Sequence, residues 1–307
     1  MTSSFNPSVH RFAVFTVCWT VLLFVAGALV TSKDAALSVT DWPTSHGTLA
    51  PPLSSLQGGD FFEFSHRAIA GGLGILTLVL AVLLWAKEKR RWVRWLGVVA
   101  VLGVVVQAIL GGQVVIRLLH YWLPVIHACF AQIVFGAVLG IAVFTSKWWV
   151  SEQPRLEDSG TPSIRTLAIL NAGVIYFQVI LGAGFRHKDI PIWPHMAGAL
   201  LVLGVVIWTA VALRKRFGQS REFTKARILL HAIFGTQFLL GLAAFWSRRT
   251  TADAPQPMPV MVTLTVIHTV VGAILFAFSV LVVLMCYRLV PRGGEVTATA
   301  PGQAATG

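Results

Sequence analysis

Charged residues are scarce in this 307-residue chain: Asp, Glu, Lys and Arg make up 12% of it. That share is about half of what soluble domains usually carry. Hydrophobic residues make up 56% of the sequence. This balance argues against an ordinary soluble domain and predicts a polytopic membrane protein.

Cysteine is also rare, and Cys18, Cys129 and Cys286 all fall inside predicted membrane helices. A disulfide between loops is therefore excluded, and a buried helical cysteine usually packs as a small hydrophobic side chain. The sequence carries no nucleotide-binding signature. Its net charge of +12 needs no nucleic acid, because basic loops facing anionic lipid explain that charge. The predicted partner of these loops is the lipid bilayer.

Eight long apolar stretches account for most of the chain, and each can cross a hydrocarbon core of about 30 Å. They cover residues 12–30, 68–86, 96–116, 121–144, 166–185, 192–213, 228–246 and 260–287. Their composition does not alternate, which favours helices over the strands of a barrel. The first stretch is longer than the apolar region of a signal peptide, so we expect it to be retained. The predicted fold is all-α, with eight transmembrane helices.

Lysine and arginine predict the orientation of these helices. Seventeen of the 24 Lys and Arg residues lie in segments on one side of the predicted membrane. Because positively charged loops stay on the cytoplasmic side, both termini are predicted to be cytoplasmic. The predicted location is the inner (plasma) membrane of a cell.

A short motif recurs along the chain and suggests an internal repeat. The segments QAILG, QVILG and QFLLG begin at Gln107, Gln178 and Gln237, in the third, fifth and seventh spans. The first span has LFVAG at 23–27, with the same final glycine and no glutamine. Gln107 and Gln237 are 130 residues apart, and His66 and His195 are 129 apart. The sequence therefore predicts two tandem four-helix bundles in parallel orientation, at 1–150 and 164–290, and a disordered tail at 291–307.

Four of the nine histidines share one position in the predicted fold. His66, His127, His195 and His268 lie near the starts of the second, fourth, sixth and eighth spans, all on the predicted outer side. A single membrane histidine is usually a satisfied polar group between helices, but four equivalent ones, two per bundle, indicate function. Paired imidazoles across a bundle can ligate haem iron from both sides. Zinc prefers three or four clustered ligands, and no Met or Cys set suggests copper. The sequence thus predicts two haem-type sites.

The two predicted sites differ by one acid. Glu63 lies three residues before His66 and shares a helix face with it, whereas Ile192 holds the matching position before His195. One interpretation makes Glu63 only the surface ion-pair partner of Arg67, which would contribute little. The other makes the first half a reaction site, in which Glu63 acts on the bound ring, and the second half a holding site.

These motifs together resemble the heme A synthase family over nearly the whole chain. The matching segments are EFSHR at 63–67, LSVTDWPTSHGTLAPP at 37–52, VIH at 125–127 and 266–268, and PHMAG at 194–198. Each segment is short, but their joint order over eight helices is specific. Many members carry a cysteine pair in the first outer loop, and this chain has none there. Any role of that pair cannot operate here.

The resemblance implies an oxidoreductase that converts the C8 methyl of haem O into a formyl group, giving haem A for terminal oxidases. That reaction is described as two hydroxylations followed by loss of water. By the resemblance, His66 and His127 bind the substrate haem O, and Glu63 is the catalytic acid beside it. His195 and His268 are the iron ligands of a haem b cofactor. Haem O synthase and the terminal oxidase assembly machinery are the implied protein partners.

Two alternatives remain at this stage. A di-haem membrane cytochrome would carry electrons with two permanent haems and oxidise no substrate. A transporter would explain the parallel repeat, but its binding residues are expected at the membrane midplane rather than near one face.

Overall fold

The computed structural model describes residues 5–120 and 122–291, and these residues form nine α-helices and one short 3₁₀ helix, Leu53–Ser55. The bounds of the α-helices are α1 Pro7–Ser32, α2 Gly59–Lys87, α3 Arg91–Ile116, α4 Leu123–Thr145, α5 Lys147–Val150, α6 Ile164–Arg186, α7 Ile192–Phe217, α8 Arg221–Thr250 and α9 Pro259–Leu289. All except the four-residue α5 are long and apolar enough to cross a membrane. Within the described residues, β-structure is limited to an isolated bridge between Ser45 and Thr48. The predicted all-α fold with eight membrane helices is confirmed.

Capping groups begin several of these helices. The Asn6 side chain accepts hydrogen bonds from two backbone N–H groups of α1, and Ser163 and Ser220 cap α6 and α8 in the same way. Such caps satisfy N–H groups that have no partner inside the helix. Proline stands in the first turn of α1, α4 and α9, where its missing N–H costs nothing.

The eight long helices form two four-helix bundles. Helices α1 to α4 pack in a closed ring, each against its two neighbours, and α6 to α9 form a second ring of the same kind. The bundles meet where α9 packs on α1 and α4, and where α4 packs on α6. Equivalent helices thus take equivalent places in the interface, as expected for parallel repeats about an axis along the membrane normal.

The tightest apolar packing lies at the end of each bundle opposite the four histidines. In the first bundle it includes Val9, Leu84, Val93 and Ile141. The second bundle has its counterpart around Ile164, Leu213, Phe223 and Leu289. A separate cluster of Phe135, Ala273 and Ala277 joins the two bundles. These cores fix the helices at one end, so the other end is the place where a ligand can lie between them.

Seven of the eight membrane helices are longer than the apolar stretches that predicted them, and α4 is one residue shorter. Helix α2 begins at Gly59 rather than near residue 68, so Glu63, His66 and Arg67 lie inside a helix instead of at its entrance. The first turns of α2 are too polar to register as an apolar run, and the loop contacts described below stabilise them. The short α5 was not predicted. Of the predicted tail, residues 292–307 lie outside the described residues.

Candidate functional site

Each of the four predicted site histidines packs against a glycine of the preceding membrane helix. An ideal Cβ built on that glycine would lie 3.1 Å from the ring Cε1 for Gly27 and His66, 3.2 Å for Gly111 and His127, 2.9 Å for Gly182 and His195, and 3.0 Å for Gly241 and His268. These glycines are the last residues of the repeated motif. Any larger side chain there would displace the imidazole.

The glutamines of the same motif bond the histidines. Gln107 Nε2 donates to the carbonyl of His127 at 3.0 Å, and Gln178 Nε2 donates to the carbonyl of His195 at 2.8 Å. Gln178 Nε2 also lies 3.0 Å from His195 Nδ1, and Gln237 Nε2 lies 3.3 Å from His268 Nε2. A glutamine one turn from the glycine therefore contacts the imidazoles of His195 and His268, and at His127 it bonds only the backbone carbonyl. His66 has no such partner, because Leu23 occupies the position in α1.

In the second bundle, His195 of α7 and His268 of α9 face each other across the helix ring. Their ring centroids are 6.2 Å apart, and the ring planes are nearly perpendicular, at 87°. A metal bound by two imidazoles lies about 2 Å from each nitrogen. A ring separation of this size suits two imidazoles that share one metal. In the first bundle, His66 of α2 and His127 of α4 hold the equivalent positions, each packed on a glycine of the preceding helix.

The polar atoms of these sites suit a metal carried by a macrocycle better than a bare ion. The Nδ1 atoms of His66, His127 and His268 are buried without a hydrogen-bond partner. No group of three or more His, Cys, Asp or Glu residues among residues 5–120 and 122–291 could hold a metal ion by itself. Two facing imidazoles with small residues around them match the axial ligation of haem iron. The residues present therefore fit the group that the sequence predicted.

The Glu63–Arg67 pair is buried and has more contacts than a surface pair. The Arg67 Nη2 donates to Glu63 Oε1 at 2.7 Å, and Glu63 is only 3% exposed. The other Glu63 oxygen accepts the Val39 N–H at 2.9 Å. Arg67 also donates to the carbonyls of Val39, Asp41 and Thr44 and to Ser45 Oγ. The pair thus fastens the loop between α1 and α2 to helix α2.

That loop has its own tight turn around Asp41. The Asp41 carboxylate accepts the Thr44 hydroxyl at 2.6 Å and the backbone N–H groups of Gly47 and His46 at 2.9 Å each. These bonds, the one from Thr44 foremost, hold the pKa of Asp41 below its usual range. Hydrogen bonds give this loop a fixed shape without the cysteine pair found in many members of the resembled family.

Trp42 belongs to the loop between α1 and α2, at the point where that loop crosses the first bundle and reaches α3. Its indole packs directly on Gly112 of α3, where an added Cβ would lie 2.7 Å from Trp42 Cδ2. Gly112 is adjacent to Gly111, the glycine that contacts His127. The loop therefore spans from Arg67 on α2 to α3 and covers the histidine end of the first bundle. Only five residues, 187–191, connect α6 to α7, so the second bundle has no cover of this length.

Sequence reasoning found the four histidines, Glu63 and Arg67, and the structure brings each set together. It missed three features: the contacts that the repeated glutamines and glycines make with the histidines, the packing of Trp42 on α3, and the number of hydrogen bonds made by Arg67. The recurring glutamine and glycine, four residues apart, were the signal for the first of these. One turn of helix separates them, so both face the same neighbour.

The fold and the site together define a class of protein: a multi-pass membrane protein with a pair of imidazoles in each of two four-helix bundles. One pair has a buried acid and a covering loop, and the other has neither feature. Comparison with known proteins then identifies the family.

The family of cytochrome oxidase assembly proteins named COX15-CtaA matches residues 10–193, more than half of the chain. A heme A synthase of Lysinibacillus sphaericus (strain C3-41) is 26% identical over 315 residues, which cover 92% of this chain and 95% of that protein. One of Bacillus licheniformis is 25% identical over 79% of this chain and 88% of that protein. A heme A synthase of Listeria welshimeri is 30% identical, but the match covers 61% of this chain and 62% of that protein. The chain belongs to the COX15-CtaA family, which confirms the resemblance.

Proposed function

We propose that this protein is an oxidoreductase that converts the C8 methyl of haem O into the formyl group of haem A. The observation that carries the proposal is the pair of imidazoles in each bundle, with an acid and a covering loop at one pair only. The relatives named heme A synthase support it, because the Lysinibacillus sphaericus protein aligns with nearly the whole chain. Under this proposal, residues 1–150 form the substrate half and residues 164–290 the cofactor half.

In the second half, His195 and His268 are the residues that would hold a permanent haem b through their imidazoles. Gln178 and Gln237 keep the two rings in place, and the motif glycines leave room for them. Hydrogen bonds of this kind orient an axial ligand and tune the metal it binds. Haem b supplies one-electron redox chemistry when bound.

In the first half, His66 and His127 are proposed to bind haem O beneath the covering loop. Trp42 and the loop backbone exclude water from this end of the bundle, and Arg67 keeps the loop closed. Glu63 lies one turn before His66 on the same face, so we propose that it accepts or relays the protons released as the methyl is oxidised. Its present bonds to Arg67 and Val39 hold the carboxylate in position.

The orientation follows from the same proposal. Basic loops at the end opposite the histidines support cytoplasmic termini and haem sites toward the outer face of the inner membrane. Haem O synthase is the proposed source of substrate, and the terminal oxidase assembly machinery is the proposed recipient of product.

Pigment analysis tests the proposed reaction. Cells that make haem O but no haem A are given this gene, and their extracted haems are separated and weighed by mass spectrometry. We expect haem A to appear, and a His66→Ala, His127→Ala double variant to leave haem O unchanged. Unchanged haem O with the wild-type protein folded and loaded with haem would instead support the di-haem cytochrome, the second candidate function.

The glycines beside the second histidine pair give a test of the cofactor site. Gly182→Ala and Gly241→Ala each introduce a Cβ about 3 Å from an imidazole Cε1, so the ring has to tilt. We expect purified variants to carry less haem b and to show a changed low-spin absorption spectrum. Gly173→Ala in α6 and Gly235→Ala in α8 are matched controls, because an added Cβ meets nothing within 4 Å at either position. Equal haem content in all four variants would contradict the proposed ligands.

A further inference from the structure

Arg186 stands beside the second histidine pair. It is the last residue of α6, one turn beyond Gly182, which contacts His195. Residues four apart share a helix face, so the arginine lies on the side of that contact. Its Nη1 donates to Thr269 Oγ1 at 3.3 Å, and Thr269 follows His268 directly in the sequence. Arg186 therefore flanks both imidazoles of the pair.

The same guanidinium reaches into the first half. Its Nη2 donates to the carbonyl of Ala28 at 2.8 Å and to Ser32 Oγ at 2.7 Å, both on α1. Ala28 follows Gly27, the glycine that contacts His66. The neutral oxygens of α1 and α9 fix the head group without neutralising its charge. The arginine is held rigidly at the boundary between the two proposed sites.

No acid in the described part of the chain forms an ion pair with Arg186. Asp189 lies three residues further along the chain but does not pair with Arg186, and its Oδ2 is buried without a hydrogen-bond partner. A guanidinium has five N–H donors, and three are used here, so two remain for another acceptor. A charge that is withdrawn from water without a counter-charge is costly. This position therefore favours an anionic ligand.

The first half also has an arginine next to a site histidine, but its hydrogen bonds differ from those of Arg186. Arg67 follows His66 directly, but both of its Nη groups donate to Glu63 and the covering loop. Met196 holds the matching place after His195, so the second half has no arginine in its own ligand turn. Arg186 supplies a cation near that histidine pair from the neighbouring helix.

We propose that Arg186 binds a carboxylate of the ligand held by His195 and His268, which is a propionate under the proposed function. The inference rests on the proposed haem b site and adds a residue that positions the haem by its acidic edge. A guanidinium pairs with a carboxylate through charge-assisted hydrogen bonds, often two at once. The bond fixes the rotation of the haem about the axis between the two imidazoles, because the propionates lie on one edge of the ring.

The test uses the full-length protein purified in lipid nanodiscs, with haem content and midpoint potential measured at one pH. Arg186→Gln keeps donors for Ala28 and Ser32 but removes the charge. We expect this variant to retain haem b on the order of tenfold more weakly, since a hydrogen bond to a charged group contributes about that factor. Its potential should fall, because a nearby cation favours the reduced haem. Arg186→Lys should keep most of the potential.

Arg248→Gln is the matched control, because it removes the same charge. Arg248 is exposed in the last turn of α8 and lies over the ring of Phe185, the residue before Arg186. A potential in Arg186→Gln that equals that of Arg248→Gln would overturn the inference. A purely structural arginine predicts that Lys and Gln variants lose thermal stability equally while the potential stays constant, and this also overturns it. If the wild-type protein carries no haem, the proposed function fails instead, so the two failures are distinguishable.

Discussion

Purified His195→Ala and His268→Ala variants are expected to contain little or no haem b, with haem content at least about tenfold below the wild-type protein. Under the proposed function each imidazole would be one of two protein ligands of the iron, so its removal would leave the iron with one protein bond. The two rings lie 6.2 Å apart, a separation that suits two imidazoles sharing one metal, so either variant would leave that metal with a single imidazole. Haem extracted from the purified protein and its low-spin absorption spectrum give the measurement.

The control variants for this prediction lie in the first half. His66→Ala and His127→Ala should leave most of the haem b in place while abolishing haem A formation. Both pairs pack against glycines in the same manner, so the changes in side-chain volume are matched. If the first-half variants lose haem b and the second-half variants keep it, the assignment of the halves is reversed.

Glu63→Gln is expected to bind both haems and yet to make haem A about 10²- to 10⁴-fold more slowly, the usual contribution of a proton-transferring residue. The glutamine keeps the size of the side chain but cannot ionise. Some of the alcohol intermediate should accumulate, because the second oxidation needs the same proton acceptor. Mass analysis of the extracted haems measures both the rate and the intermediate.

Arg67→Ala separates the proton role from the structural one. Glu63 accepts bonds from both Arg67 and the Val39 N–H, so a glutamine amide can satisfy only one of these donors with its oxygen. The arginine variant releases the covering loop and keeps the acid. If Glu63 served only to hold Arg67, the two single variants and the double variant would lose activity equally. A larger loss and an alcohol intermediate in Glu63→Gln alone would support the proton role.

The fold could be predicted from the sequence because long apolar runs allow few alternatives in lipid. Every backbone polar group there must bond within its own helix, so hydropathy alone gives the number of spans. The start of α2 could not be predicted from hydropathy, since Asp60, Glu63 and Arg67 interrupt the apolar run. Contacts with the loop, rather than local sequence, stabilise that first part of the helix.

The histidine positions were also predictable, because the motif repeats at a constant offset in a chain with few polar residues. Their immediate surroundings were not. The bond from Gln107 to the His127 carbonyl and the contact of Trp42 with Gly112 join residues that are distant in sequence. One interpretation of the sequence made Arg67 only the surface ion-pair partner of Glu63. The loop that covers it follows from three-dimensional packing, which the spacing of Glu63 and Arg67 does not reveal.

The central claim is that the two halves hold chemically different haems, one as cofactor and one as substrate. The most direct measurement is the composition of haem extracted from protein purified out of cells that make haem O. We predict haem b together with haem O or its oxidised products in the wild-type protein, and haem b alone in the His66→Ala, His127→Ala double variant. Two equivalents of haem b in the wild-type protein, with one lost in that double variant, would contradict the account.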